Sequence, residues 1–412
     1  MTETDTHLSL PAPAPGTSQP AGDFPADDGA EVIKPLTRSI CGACLAEVPA
    51  RVLVRDGRVH LEKRCPAHGV SSAVIEPDPA FYRAVCHTGA NRRPFDPAQK
   101  RLIIPVEYRC NLDCMFCYLP DRTKPNLSCE RIERAIQDFD GDSIELSGGE
   151  PTLREDLLDL VRLVRKYGKR LHLVTNGLRL ADLDYVRQLK EAGLHKPFLS
   201  LYSLDRETER QICGRDVLDL KLRAFENLLN EGMAPALSFT LVPGVNNGSI
   251  RDLVFLTARS GLPFVTLRRV ARVGTHPDSP RYFFSEFVAD IARALGWTPA
   301  QILQRKQQHF SPYFLYLTAW VSPAWGKCIP CRGREETPEA ALERLPREAG
   351  DPLPPVGAAE GPPVQRVRFR IAAWPDIEDI DLDEASYQMY QHLYDGEKPM
   401  DFFQAMIRNE GL

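Results

Sequence analysis

Three groups of cysteines and one glycine-rich turn carry the chemistry available to this chain. Cys110, Cys114 and Cys117 fall within eight residues, directly after RLIIPVEY (101–108), which reads as a buried strand. Three thiolates at that spacing ligate three irons of a 4Fe–4S cluster and leave the fourth iron without a protein ligand. In catalytic metal sites an open position of this kind receives a substrate or cofactor. An electron carrier would normally place four cysteines on its cluster, so the open iron points toward catalysis.

The second group is Cys41-x2-Cys44, followed after twenty residues by Cys65-x2-His68. ARVLV (50–54) and RVHLEK (58–63) flank Asp56-Gly57, a two-residue hairpin signal because the turn needs positive φ. A hairpin that brings four soft ligands together makes a closed tetrahedral site for zinc or for rubredoxin-like iron. With no open position, its role is structural or electron-carrying. The third group, Cys328-x2-Cys331 in WGKCIPCRG, reads as another C-x2-C turn. It supplies half of an auxiliary cluster if Cys86, Cys129 or Cys213 completes it; otherwise it is a redox pair or two ordinary thiols.

Positioning these residues takes a parallel sheet. Ser143–Leu146 read as a second strand, ending in Ser147-Gly148-Gly149-Glu150-Pro151-Thr152. RLHLV (170–174) ends in Thr175-Asn176-Gly177, and FLSLYS (198–203) leads to Asp205. Ala236–Val242 end at PGVNN (243–247), and PFVTLRRV (263–270) follows. Between them Leu157, Leu158, Val161 and Val164 are spaced as one helical face, and 181–193, 217–231 and 249–260 behave alike. Repeated strand–helix units imply an α/β fold with a parallel sheet and helices outside it. About six units fit a partial (β/α)6-type barrel, whose ligand-binding loops follow the C-terminal strand ends. Each motif sits at such an end.

The C-x3-C-x2-C spacing, with Gly148-Gly149-Glu150 some thirty residues later, resembles the radical S-adenosylmethionine (SAM) superfamily. The stretch from Gly214-Arg215-Asp216 to Lys221 and Glu226-Asn227 is similar to one branch of it, that of the archaeal tetraether lipid synthases and the radical SAM pterin methylases. Members of that branch also begin with a C-x2-C…C-x2-H-G knuckle, as Cys41 to Gly69 does here. The resemblance covers roughly residues 38–275. It departs where the branch carries a further cysteine motif between knuckle and barrel, for this chain has only Cys86 there. It departs again in the C-terminal DGEKPMDFFQAMIRN, which lacks cysteine.

The resemblance implies that Cys110, Cys114 and Cys117 hold the cluster and that SAM chelates the open iron. It places Phe116 near the adenine and Gly148, Gly149 and Glu150 at the methionine amine. Asn176, Ser200 and Arg215 would contact the ribose and carboxylate, although a surface ion pair with Asp216 or Asp219 is an equal reading of Arg215. It further implies a flavodoxin- or ferredoxin-type reductant and a 5′-deoxyadenosyl radical that takes hydrogen from an unactivated C–H bond. Carbon–carbon bond formation or alkylation would follow, with dehydrogenation or rearrangement of a small metabolite as the alternative. From a different class, an iron–sulfur electron-transfer protein without SAM chemistry also fits the cysteines.

The 412 residues organise as a Pro-rich, disordered tail (1–37), the knuckle (38–76) and the barrel (100–300). A helical segment bearing the C-x2-C pair (301–340), a Pro-rich linker (341–366) and a strand–helix extension (367–412) follow. In the extension VRFRIAAW (367–374) alternates like an edge strand, and Tyr387, Tyr390, Leu393 and Tyr394 are spaced like a helix. A net charge of −5 argues against nucleic acid as an obligate partner. The amino terminus has neither the basic start nor the apolar run of a secretory signal, and no stretch approaches a membrane span. The expectation is a cytoplasmic protein with a small-molecule or lipid substrate; the apolar HFSPYFLYLTAWV (309–321) reads first as core, with the lining of a hydrophobic pocket as the alternative.

Overall fold

The structure is a computed structural model. It describes residues 24, 29–44, 46–86, 101–119, 122–194, 196–272, 281–305, 308–311, 314–323, 326–331, 336–342, 364–373, 390–392 and 400–401. Four strands come first: β1 (Glu31–Ile40), β2 (Glu47–Arg55), β3 (Arg58–Cys65) and β4 (Gly69–Glu76), with α1 (Pro79–Cys86) after them. The central run is β5 (Arg101–Glu107), α2 (Cys129–Asp138), β6 (Ser143–Gly148), α3 (Leu157–Lys166), β7 (Arg170–Thr175), α4 (Leu183–Ala192) and β8 (Pro197–Ser200). It continues through α5 (Arg206–Cys213), α6 (Leu218–Asn230), β9 (Ala236–Leu241), α7 (Ile250–Arg259) and β10 (Phe264–Arg269). Beyond lie α8 (Phe284–Leu295), α9 (Pro299–Arg305), β11 (Gln308–Ser311), β12 (Phe314–Ser322), β13 (Lys327–Pro330), α10 (Pro338–Leu342), β14 (Gln365–Ala373), β15 (Tyr390–His392) and β16 (Met400–Asp401).

β5 to β10 pair in chain order and all parallel, the six strand–helix units expected of the sequence. One residue parity of these strands is apolar and packs under the helices: Leu102, Ile144, Leu173, Leu199, Leu237 and Leu267 are all fully buried. The helices answer with their own apolar stripes, such as Leu157, Leu160, Val161 and Val164 on α3. The other parity faces a cavity that residues from β5 and β10, the two ends of the row, line together. The sheet therefore curls as a partial barrel does.

The chain after the barrel differs from its sequence expectation. The described residues of the 301–340 segment are chiefly strand: β12 carries β11 and β13 antiparallel at its sides. β14 is an interior strand rather than an edge, parallel to β10 and antiparallel to β12. The alternation of VRFRI suggested a solvent face; Arg368 is exposed in keeping with it, while Arg370 on the same parity lines the cavity. Tyr390–His392 form a short strand parallel to β5 where helical spacing predicts a helix; Tyr387, Leu393 and Tyr394 lie outside the described residues. No helix among the described residues is long and apolar enough to cross a membrane.

The knuckle is a four-stranded antiparallel sheet rather than a lone hairpin, and β1 starts at Glu31, inside the stretch expected to be tail. The Asp56-Gly57 turn takes the positive φ its type requires, +52° and +68°. Glu76 at the end of β4 anchors the unit to the barrel. It is 2 % exposed, and Ser285 at the start of α8 donates to it from its backbone N–H (3.1 Å) and from its hydroxyl (2.5 Å). Burial pushes the Glu76 carboxyl from 4.5 up to about 7. A raised acid pKa in the folded state stabilises below the unfolded value and loses that contribution as pH rises through the folded one. Stability should therefore fall by roughly 3 kcal/mol between pH 4.5 and 7 from this group. Urea titrations at pH 4.5 and 7.5 check this: Glu76→Gln should flatten the difference in stability, and the same difference in both proteins would refute it.

Candidate functional site

The loop after β5 is knitted to its surroundings through backbone. Asp113 N–H donates to the Cys213 carbonyl (3.2 Å) and Met115 N–H to that of Ile212 (2.9 Å), so the end of α5 sets the loop's path. From the other side Gly149 N–H donates to the Glu107 carbonyl (2.7 Å) and Glu150 N–H to that of Arg109 (2.9 Å). Only glycine permits this approach. A Cβ on Gly148, whose φ is +129°, would stand 2.1 Å from the Glu107 carbonyl oxygen, and one on Gly149 2.4 Å from that of Arg109. The glycines expected to admit a ligand thus first admit the neighbouring backbone.

Cys110, Cys114 and Cys117 line one cavity of about 240 Å³ together with Gly148, Gly149 and Asn176. Burial pushes the Cys110 thiol up, and a hydrogen bond with Cys213 pushes Cys114 up. Three thiols on three different irons need not converge on one point, and the donor set, on the wall of a cavity floored by a glycine turn, fits a cluster with one open iron.

Cys41, Cys44, Cys65 and His68 do converge: their ligand atoms all lie within 4.8 Å of one another. Cys44 and Cys65 Sγ are 3.7 Å apart, and Cys65 Sγ is 3.4 Å from His68 Nδ1. A tetrahedron with metal–sulfur bonds of about 2.3 Å and metal–nitrogen bonds of about 2.0 Å has edges of about 3.5–3.8 Å. The four residues thus form a metal site that is already shaped. Hydrogen bonding to His68 draws the Cys65 thiol down to about 6, toward the thiolate a metal needs. Chelating the ion should unfold this unit, since binding energy here is folding energy. Hydrogen exchange is expected to lose protection across residues 47–65 and to keep it in β5–β10; retained protection in the knuckle would refute this.

Residues 104–257 match the sequence profile of the Radical SAM superfamily, and residues 34–77 that of the HMPTM N-terminal zinc ribbon domain. Residues 104–257 thus carry a radical SAM domain. The chain is 30% identical to 7,8-dihydro-6-hydroxymethylpterin dimethyltransferase of Methanocaldococcus jannaschii over 54% of this chain and 50% of that protein. It is 29% identical to a probable GTP 3′,8-cyclase of Thermococcus kodakarensis over 52% of this chain and 71% of that one. The chain thus spans about half the length of the pterin relative. Among solved structures, SuiB of Streptococcus suis bound to its precursor peptide SuiA aligns at a TM-score of 0.41 and 15% identity, over 62% of this chain and 68% of that one, a likeness too low to argue from.

Around Cys110, Cys114 and Cys117, Phe116 and Ser200 also line the cavity, Phe116 edge-on to Tyr202 with ring centroids 5.0 Å apart. Asn176 Nδ2 donates to Asn111 Oδ1 (2.8 Å). Glu150 is not part of the cavity wall. Fully buried, it accepts from Thr152 N–H (3.0 Å) and hydroxyl (2.6 Å), Thr175 hydroxyl (2.7 Å) and Asn176 N–H (2.7 Å), tying β6 to β7. Arg215 also stands off the wall, donating to the Asn111 carbonyl (3.2 Å), while Arg206 takes both Asp216 and Asp219. Cys328 lies on a strand, not in a turn, and the indole of Trp297 donates to its carbonyl at 2.7 Å. Among the described residues neither Cys328 nor Cys331 joins a group of three or more ligand side chains.

Several residues behind the site had no motif to reveal them. Glu107, fully buried, holds Arg109 through two hydrogen bonds (3.0 and 2.8 Å) and accepts from Asn126 (3.0 Å). Cys213, expected in a loop, ends α5, packs against Cys114, and lies 3.3 Å from Lys221 Nζ. Cys129 is the first residue of α2, after the capping Ser128, and its thiol donates to Asp156 (2.8 Å). The signal available for Lys221 and Glu209 was their place in apolar helical faces, which a charged residue occupies only when paired.

Proposed function

We propose that this chain reductively cleaves SAM and uses the resulting radical to alkylate a carbon of a small molecule. The observation that supports it most is the meeting of Cys110, Cys114 and Cys117 with Gly148, Gly149 and Asn176 on one cavity. When bound, the cluster supplies an electron and an open iron, and the difficult chemistry belongs to it and to SAM. The chain contributes the rest. The three thiols would hold the irons; the backbone of Gly148 and Gly149, locked by Glu107 and Arg109, would face the amino-acid end of SAM. Phe116, braced by Tyr202, would offer a flat apolar face to the adenine. The curled sheet would exclude water from a reactive radical.

The relative named as a pterin dimethyltransferase, together with the zinc ribbon, favours methylation of a ring carbon over dehydrogenation or rearrangement. The knuckle then carries zinc as a structural ion. Residues on the wall such as Ser238 and Thr240 suit a polar small molecule better than a lipid tail. The test is anaerobic reconstitution with iron and sulfide, followed by dithionite and SAM. Formation of 5′-deoxyadenosine is expected; none from a protein with a full cluster would sink the proposal.

A further inference from the structure

Charged residues stand on both sides of the cysteine loop. Arg101, Glu145, Arg268 and Arg370 line the cavity in front of it. Behind it Glu209, Cys213 and Lys221 are each 0 % exposed, closed off from that space. A lysine and a glutamate are buried so completely only when paired, and these two meet at 2.6 Å. Their pairing takes in a thiol as well. Lys221 Nζ donates to Cys213 Sγ (3.3 Å), which also lies 3.4 Å from Glu209 Oε1. A hydrogen bond joins Cys213 in turn to Cys114. The seat of Cys213 is fixed by backbone: its carbonyl accepts from Asp113 N–H, and that of Ile212 from Met115 N–H, so the two bonds bracket Cys114. Gly214 follows at φ +75°, where a Cβ would stand 3.0 Å from the Asp113 carbonyl oxygen. Cys110 is served differently, for Leu112 N–H approaches its sulfur at 3.5 Å. At Cys114 the neighbouring donor is a side chain, which a substitution can remove.

We propose that Cys213, held by Lys221 and Glu209, donates its S–H to the cluster-ligand sulfur of Cys114 and thereby raises the reduction potential of the cluster. The inference rests on the radical SAM reading and adds a positioning residue to it. Reduction brings one electron to the cluster, moves no proton, and makes the ligand sulfurs more negative. A donor aimed at one of them therefore stabilises the reduced form more than the oxidised one. The ammonium of Lys221 engages a lone pair of the Cys213 sulfur and leaves the thiol hydrogen to turn. Glu209 is the other acceptor within reach, but Oε1 already accepts from Lys221, and Oε2 from the N–H groups of Tyr202 and Ser203. A metal-bound Cys114 sulfur, carrying charge, is the stronger claim on that hydrogen. Full burial keeps water from competing for it.

The experiment is a potentiometric titration of the reconstituted full chain with dithionite, without SAM. It is followed by the electron paramagnetic resonance signal of the reduced cluster, which only loaded chains give. Cys213→Ala is expected to lower the midpoint by about 30–60 mV, the range for losing a weak donor to a charged acceptor. That is roughly a three- to tenfold change for a one-electron couple at about 59 mV per decade. Cys213→Ser keeps a hydrogen to donate and should recover at least half of the fall. An alanine variant at the parent's midpoint or above it overturns the inference. A serine variant that recovers less than half overturns it too, since packing alone then sets the shift. So does loss of the whole cluster from Cys213→Ala, because Cys213 is then itself a ligand. A parent protein that binds no cluster fails the radical SAM reading, whereas a loaded cluster whose potential ignores Cys213 fails this inference alone.

Discussion

Replacing Lys221 with methionine is expected to cost the folded state about 3–5 kcal/mol, the range for breaking a buried ion pair on one side. Lys221 and Glu209 are both fully buried, and Lys221 Nζ stands 2.6 Å from Glu209 Oε1. Burial alone would lower the lysine's pKa, but Glu209 more than reverses this and holds it above the ordinary value. Glu209 also accepts the N–H groups of Tyr202 (3.0 Å) and Ser203 (2.8 Å), so it fixes the chain after β8. Without the ammonium, a carboxylate stays behind in the core with no countercharge. The double variant Lys221→Met/Glu209→Gln keeps an acceptor for both N–H groups and removes the charge, so it should recover most of the loss. Urea midpoints of the three proteins decide this; a single variant as stable as the parent would show that the pair carries little.

The second large effect is on chemistry. Cys114→Ala should abolish 5′-deoxyadenosine formation and lower the iron and sulfide bound per chain, because one of three cluster ligands is gone. Cys213→Ala offers the graded comparison. Its thiol packs behind Cys114 and beside Lys221, so its loss should reduce activity or cluster affinity by roughly tenfold, as removal of a partner behind a ligand usually does. Quantifying product by chromatography alongside iron analysis separates the two. Equal behaviour of both variants would mean that Cys213 is itself a ligand.

These two predictions also show where reading the chain alone stops. Ligand spacing is local: Cys110, Cys114 and Cys117 sit on one loop, and the two knuckle pairs each span a short turn, so both groups were legible before any fold was known. The six strand–helix units were legible too, because apolar parity and helical period are properties of short windows. The hydrogen bonds of Glu150 to Thr152, Thr175 and Asn176, and of Arg215 to the Asn111 carbonyl, were not legible, because a motif names residue types, whereas hydrogen-bond competition decides where a carboxylate or guanidinium spends its charge. β14 was misplaced at an edge because alternation reports one polar face, and a lined cavity and solvent both make one.

What only the tertiary structure decided follows from chain separation. Cys213 meets Cys114, and Lys221 meets Glu209, because α5 and α6 fold back against the loop after β5. Arg101, Glu145, Arg268 and Arg370 come from strands spread over most of the molecule, and no window of sequence contains two of their contacts. The amino-acid order by itself determined which cysteines stand together as candidate ligands, since that needs only a short reach of backbone. The curl of the sheet decided what faces them, since a wall exists only when distant strands close around a common space.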